Sequence, residues 1–192
     1  MILFALHCWI VGLWVAFLIY WAIAAIFVKR GADRMSLRRG MKMRFALFLI
    51  IVITALFARR SAELRSLQWT ELHSIPMAVT GALLVTLGAT VAFVARGVIG
   101  RNWGSPGMRK TDTKLVTHGP YSLIRHPIYT GILLMMAGTA VGLTPIWWSV
   151  MLVAGIYFIR SARAEESYMT ERFPDAYPAY KSRTKMLVPF LL

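Results

Sequence analysis

The chain has 192 residues, of which 58% are hydrophobic, and its mean hydropathy of +0.60 is too high for an ordinary soluble domain of this length. Its formal net charge is +14, but the basic residues lie between long apolar runs, which argues against a nucleic-acid-binding protein and favours anionic lipid head groups as the partner. Cys8 is the only cysteine, so the sequence predicts no disulfide framework and no Cys-based metal site, and we assign no metal to the candidate site.

Five apolar stretches predict an all-α integral membrane protein with about five transmembrane helices. At about 1.5 Å per residue the first is long enough for a hydrocarbon core of about 30 Å, whereas the last two are short and predict a tight hairpin. We interpret the chain as one membrane-embedded domain, in which residues 1–99 form a scaffold and residues 100–192 carry the candidate site. The five stretches are Ile2 to Val28, Lys42 to Ala58, Ile75 to Ile99, Pro127 to Gly142 and Ile146 to Ile159.

The distribution of Lys and Arg predicts how the helices are oriented. Residues 29–44, 96–125 and 160–192 hold 7, 6 and 6 of these residues, whereas residues 59–74 hold 3 and the turn near Pro145 holds none. Because cytoplasmic connections carry the excess of positive charge, we expect the N-terminus outside and the C-terminus in the cytoplasm. The short chain, without a retention tail, favours a prokaryotic cell membrane.

Two further patterns concern the polar end of the chain and the glycines. Beyond Arg160, charged residues alternate with apolar ones before Pro174 and Pro178, which predicts a helix that leaves the membrane and then a broken loop. Small residues are expected to let helices approach closely. These are Gly81, Gly88, Gly131, Gly138 and Gly155.

The predicted hairpin brings together polar residues that are distant in the sequence. With its tip at residues 143–145, residues whose numbers sum to about 289 lie level, which places Arg125 beside Ala164 and His126 beside Arg163. Charges at a hydrocarbon boundary are costly unless they are paired, so we interpret this cluster as a functional site. Adjacent helical residues point to different sides, and we therefore expect at most one of two neighbouring glutamates to face it. The cluster comprises Arg125, His126, Arg160, Arg163, Glu165 and Glu166, with Tyr177 and Tyr180 beneath it.

The segment Lys114 to Gly131, with its Arg125-His126-Pro127-Ile128-Tyr129 core, resembles the isoprenylcysteine carboxyl methyltransferase family, as do Glu165-Glu166, Phe173, Tyr177 and Tyr180. The resemblance covers roughly residues 100 to 190. It implies an integral membrane enzyme that uses S-adenosylmethionine without a Rossmann domain, and the chain agrees in lacking a Gly-x-Gly-x-x-Gly sequence. The chain departs from the family pattern at Pro174, where a glycine usually follows the phenylalanine, and in residues 185–189, which lack the glycine often found before the final proline.

The resemblance also implies roles for individual residues. Arg125, Arg163 and Glu166 are the predicted catalytic residues, with the two arginines handling an anion. The implied reaction is methyl transfer, at the cytoplasmic membrane interface, to the carboxylate of an isoprenylcysteine-like or other lipidic acceptor. The predicted cofactor-binding residues are Leu115, Val116, Gly119, Tyr121, His126, Pro127 and Tyr129, with Glu165 or Glu166 closing the pocket from the fifth apolar stretch.

Three alternatives remain open on the residues alone. Related membrane methyltransferases act on the amine of phosphatidylethanolamine, a reaction for which His126 or a glutamate would serve as the base. Membrane sterol reductases, which use NADPH, look similar around Arg-His-x-x-Tyr, although their usual terminal tryptophan is missing from residues 177–180. The third alternative is a non-catalytic helical membrane protein.

Overall fold

The computed structural model describes residues 1–26, 74–103 and 114–188. Within these ranges the chain is helical, which confirms the all-α class for the described residues. The predicted span Lys42 to Ala58 lies outside them, so the number of transmembrane helices stays a prediction. The described helices are α1 (Ile2–Ile26), α2 (Ile75–Ile99), α3 (Pro127–Gly142), α4 (Trp147–Arg172) and α5 (Ala176–Arg183), with short 3-10 turns at Gly100–Asn102 and Gly119–Ser122.

Prolines and glycines account for several helix ends. Pro127 is the first residue of α3, a position where the missing N–H is not needed. Gly100 follows the last residue of α2, and its φ of 51° lies in the left-handed region that favours glycine. The prediction of a helix that continues beyond Arg160 is confirmed, because α4 runs without a break to Arg172. The prediction of a broken loop after it is wrong for α5. Pro178 is the third residue of that helix, and the first turn tolerates proline.

Glycines bring the backbones of α2 and α3 into contact. A Cβ atom added to Gly88 would lie 2.5 Å from the carbonyl oxygen of Gly131, and one added to Gly81 would lie 2.5 Å from the Cα of Gly142. A Cβ atom on Gly138 would lie 2.7 Å from the carbonyl oxygen of Gly81. The predicted close approach is therefore confirmed at Gly81, Gly88, Gly131 and Gly138, and Gly142 also lies in this contact.

Helix α1 covers the α2–α3 pair with apolar side chains. Ile10 and Met135 are fully buried in one core cluster, and the indole of Trp14 donates a 2.9 Å hydrogen bond to the hydroxyl of Thr139 on α3. By length and composition, α1 over Ile2–Ala24 and α2 are apolar enough to cross a membrane, with mean hydropathies of 2.4 and 2.1. Only 11% of the most apolar stretch of α1 is buried inside the protein.

Helices α3 and α4 form the predicted hairpin. The ring of Tyr129 stacks on that of Phe158 with 4.6 Å between centroids, and Arg125 bonds Glu166. Both pairs lie within about two residues of the predicted register, which is thereby confirmed. The expectation of a close helix approach at Gly155 is wrong, because a Cβ atom there would lie an ordinary 3.9 Å from Leu133.

Candidate active site

The loop before α3 forms one wall of the site. Gly119 has a φ of 63°, and an added Cβ atom would lie 3.2 Å from a methyl group of Val98. This glycine begins the turn that buries Tyr121 against Ala95 and Ile128. Burial raises the pKa of the Tyr121 hydroxyl, which stays protonated at neutral pH. The tyrosine is therefore a packing element of the loop.

The other loop residues of the predicted cofactor site differ in exposure. Val116 is partly buried and packs against the cluster around Tyr121, and Leu115 is also partly buried. Pro127 is fully buried at the start of α3, whereas Gly119 is exposed. A ligand is therefore able to contact Leu115, Val116 and Gly119, whereas Pro127 is out of its reach.

A buried carboxylate joins three elements of the site. Glu166 on α4 is 3% exposed, and its Oε1 accepts a 2.6 Å bond from the Nε of Arg125. Its Oε2 lies 2.8 Å from the Nζ of Lys181 on α5. Burial by itself would raise the pKa of Glu166, but the contacts with His126, Lys181 and Arg125 outweigh it and lower the pKa to about 2. Glu166 is therefore ionised at neutral pH, and each of its carboxylate oxygens contacts a cation.

The second carboxylate of the pair faces an aromatic stack. Tyr129 donates a 2.5 Å hydrogen bond to the Oε1 of Glu165, whose side chain is 32% exposed. The rings of His126 and Tyr129 are parallel within 3° and their centroids are 5.4 Å apart. Phe158 extends this stack on the far side of Tyr129. Glu165 therefore presents a carboxylate at the edge of a flat apolar wall.

The imidazole of His126 lies between the two glutamates. Its Nδ1 is 3.6 Å from the Oε2 of Glu165, and its Nε2 is 3.6 Å from the Oε1 of Glu166. The Nε2 is buried and makes no hydrogen bond with any residue that the structure describes. The expectation that at most one glutamate faces the site is wrong, because the two long side chains reach opposite sides of the same imidazole.

Residues 176–187, which comprise α5 and the four residues after it, are called here the α5 clasp. The clasp buries Tyr177 and Tyr180, and the hydroxyl of Tyr180 donates a 2.6 Å hydrogen bond to the carbonyl oxygen of Tyr121. Burial raises the pKa of Tyr180 to about 12, against an opposing effect of the Arg125 charge. Both tyrosines lie beside the cluster, as the sequence predicts.

Two of the predicted cluster residues lie elsewhere, and one member was missed. Arg160 and Arg163 are exposed on α4 and join none of the ion pairs formed by the described residues of the cluster. Lys181 takes their place as the second cation on Glu166. A helical reading of the segment would have found it, because Tyr177, Tyr180 and Lys181 share one face at spacings of three and four residues.

Comparisons with known proteins place this geometry in context. The profile of a family described as phospholipid methyltransferase matches residues 76–176. The chain is 33% identical over 144 residues to protein-S-isoprenylcysteine O-methyltransferase of Homo sapiens, covering 72% of this chain and 51% of that protein. It is 32% identical over 117 residues to the protein of the same name from Saccharomyces cerevisiae, covering 59% and 49%. The predicted resemblance is confirmed, and the chain spans about half the length of these curated relatives.

Proposed function

The chain belongs to the phospholipid methyltransferase family, and from this premise we propose that it transfers a methyl group from S-adenosylmethionine to the carboxylate of a prenylated cysteine or a similar lipidic acid. The observation that carries the proposal is the meeting of His126 and Tyr129 with Glu165 and Glu166 across the hairpin. These residues lie inside the region that the family profile matches. The acceptor class follows that of the relatives, which are named protein-S-isoprenylcysteine O-methyltransferases.

The groups of the site fit S-adenosylmethionine, which carries an ammonium, a carboxylate and a flat base. Glu165 offers a partly exposed carboxylate for the ammonium. The imidazole of His126, which is partly exposed, and the exposed backbone at Gly119 are the candidate donors for the carboxylate. Leu115 and Val116 supply apolar surface for the base. Tyr121 and Pro127 are buried beneath this surface and support it.

Bound S-adenosylmethionine supplies a methyl group on a positively charged sulfur, which becomes a neutral thioether when an acceptor oxygen bonds the methyl carbon. An acceptor carboxylate with a pKa of about 3.5 is already ionised at neutral pH, so the chain needs no strong general base. Its task is to orient the acceptor and exclude water, and such orientation contributes about 7 to 11 kcal/mol in favourable cases. The packed end of the α3–α4 hairpin provides a rigid place for it.

We assign different roles to the three predicted catalytic residues. Glu166 is buried and held by Arg125 and Lys181, so we propose that it acts by positioning the loop before α3. Arg125 uses its Nε on Glu166 and its Nη1 on carbonyl oxygens of the α5 clasp, which makes it a positioning residue as well. Arg163 is exposed and stays the predicted anion-handling residue.

We further propose that the protein is a single membrane-embedded domain with five spans, its N-terminus outside and the site at the cytoplasmic interface. The exposed sides of α1 and α4 carry large apolar residues, which favours a lipid environment over water. Helix α3 has 16 residues and is about 24 Å long at 1.5 Å per residue, which is less than the hydrocarbon core of about 30 Å. The polar residues before it are then able to lie at the interface.

A second acceptor, the amine of a phospholipid, is favoured by the description of the family profile. An ammonium must lose a proton before it attacks, and His126 or a glutamate of the site is the residue that would serve as the base. The NADPH-dependent alternative has no such support, because the relatives carry the names of methyltransferases.

One transfer experiment tests the proposal. The purified protein is incubated with S-adenosylmethionine that carries a labelled methyl group, together with either a farnesyl-cysteine analogue or phosphatidylethanolamine. We expect the label in a base-labile ester of the farnesyl-cysteine analogue. Label in the lipid amine would establish the second acceptor, and thermal stabilisation by NADPH but not by S-adenosylhomocysteine would overturn methyl transfer altogether.

A further inference from the structure

The loop before α3 depends on the α5 clasp for its backbone hydrogen bonds. The amide N–H of Arg125 donates to the carbonyl oxygen of Lys185 at 2.8 Å, and that of His126 donates to Met186 at 3.1 Å. In return, the N–H of Lys185 donates to the carbonyl oxygen of Leu123 at 3.3 Å. Backbone groups buried without partners are costly, so this extended loop keeps its conformation only while the clasp is in place.

Two cations fasten the clasp. The Nη1 of Arg125 donates to the carbonyl oxygens of Thr184 and Lys181, near the C-terminal end of α5, where helix carbonyls lack partners within the helix. The Nζ of Lys181 reaches back to the Oε2 of Glu166 on α4. One carboxylate thus connects α4, the loop before α3 and the clasp.

The two ends of the Lys181 bridge differ in exposure. The side chain of Lys181 is 50% exposed, whereas that of Glu166 is 3% exposed. A substitution at Lys181 therefore removes a charge from the buried carboxylate without opening a cavity in the core. No feature of the family resemblance singled out this lysine, and its geometry connects it to His126 through only one intermediate residue, Glu166.

We infer that Lys181 is a positioning residue for the methyl donor: its bridge to Glu166 closes the α5 clasp on the loop that carries His126. This inference rests on the proposed function. Lys181 itself touches neither donor nor acceptor. Loss of the bridge is expected to loosen the loop, and the consequence is weaker donor binding with an unchanged chemical step.

The test compares Lys181→Met, which keeps the length of the stem, with Lys181→Arg, which keeps the charge. Arg183→Met is the matched control, because Arg183 is an exposed cation on the same helix whose described bond is local, to the carbonyl oxygen of Ala179. We expect Lys181→Met to raise the KM for S-adenosylmethionine about tenfold with kcat within twofold of the unmodified protein. Lys181→Arg is expected to restore the KM to within about threefold, and Arg183→Met to leave it unchanged.

Hydrogen exchange gives a readout that does not require turnover. The amides of Arg125 and His126 are bonded to the clasp, so they should exchange about tenfold faster in Lys181→Met and at the normal rate in Arg183→Met. Should Lys181→Met prevent folding, Lys181→Gln, which keeps an N–H donor without the charge, replaces it in both measurements.

Each outcome is decisive. Exchange and KM values in Lys181→Met that equal those of Arg183→Met would overturn the inference, as would a loss of kcat at constant KM. A different outcome separates the two proposals. If Lys181→Met speeds the exchange but neither it nor the unmodified protein methylates either acceptor, the proposed function is refuted, whereas the role of Lys181 in holding the loop before α3 is supported.

Discussion

Replacing Glu166 by glutamine is expected to destabilise the folded protein by about 3 kcal/mol at pH 7. The substitution keeps the shape of the side chain and removes the charge that Arg125 and Lys181 face. In the folded state the pKa of Glu166 falls from its ordinary value of 4.5 to about 2. At about 1.4 kcal/mol per pKa unit, this difference corresponds to about 3 kcal/mol of folding free energy.

The sign of the pH dependence follows from the direction of the pKa change. Because the folded state holds the lower pKa, the stabilisation is fully present above about pH 4.5 and is lost as the pH falls toward 2. The difference between the unmodified protein and Glu166→Gln should therefore shrink from about 3 kcal/mol at pH 7 to below about 1 kcal/mol at pH 2.5.

Denaturant unfolding in mixed micelles, followed by tryptophan fluorescence at several pH values, measures this difference. Glu171→Gln is the matched control, because Glu171 is an exposed glutamate on the same helix. A Glu166→Gln protein that loses no more stability at pH 7 than Glu171→Gln would refute the reasoning. A difference that persists undiminished at pH 2.5 would refute it as well.

Three further substitutions test other parts of the structure. Gly88→Ala places a methyl group against backbone and should cost about 1 to 3 kcal/mol in the same unfolding assay, whereas Gly97→Ala, with nothing within 4 Å, should be neutral or slightly stabilising. Tyr129→Phe keeps the ring stack but removes the hydrogen bond to Glu165, so donor affinity measured by calorimetry should fall about tenfold, and the loss of a bond to a charged group should cost about 1.5 to 3 kcal/mol of unfolding free energy. Tyr180→Phe should cost about 1 to 2 kcal/mol of unfolding free energy, because a buried carbonyl loses its donor. Equal stabilities for Gly88→Ala and Gly97→Ala would contradict the first expectation. An unchanged donor affinity in Tyr129→Phe would contradict the second, and an unchanged unfolding curve for Tyr180→Phe would contradict the third.

The register of the hairpin was predictable because it depends on two local facts only, the position of the turn and the rise of a helix. Those facts place Arg125 level with Ala164 and therefore within about one turn of Glu166, although Arg125 and Glu166 are 41 positions apart. The bounds of α2 and α3 were predictable for a similar reason, since proline and glycine mark their ends.

What the sequence did not predict depends on side-chain direction and on tertiary contacts. Arg163 is as close in register as Glu166 but points to the surface, so equal depth did not imply contact. Lys181 belongs to a segment that two prolines made look irregular, whereas the structure shows a helix over Ala176–Arg183 that directs this lysine toward Glu166 on α4. Both glutamates reach His126 because each side chain spans several bonds, a freedom that a helical wheel omits.

The backbone contact between α2 and α3 also limits which walls of the protein can part. Where their glycines meet, the backbones of the two helices are in direct contact and leave little room for neighbouring side chains to repack, so the pair is expected to behave as one rigid unit. Helix α4 meets α3 through side-chain contacts, such as the stacking of Phe158 on Tyr129. A long hydrocarbon tail that enters from the bilayer between two helices should therefore separate α4 from α3 and leave the contact between α2 and α3 unchanged.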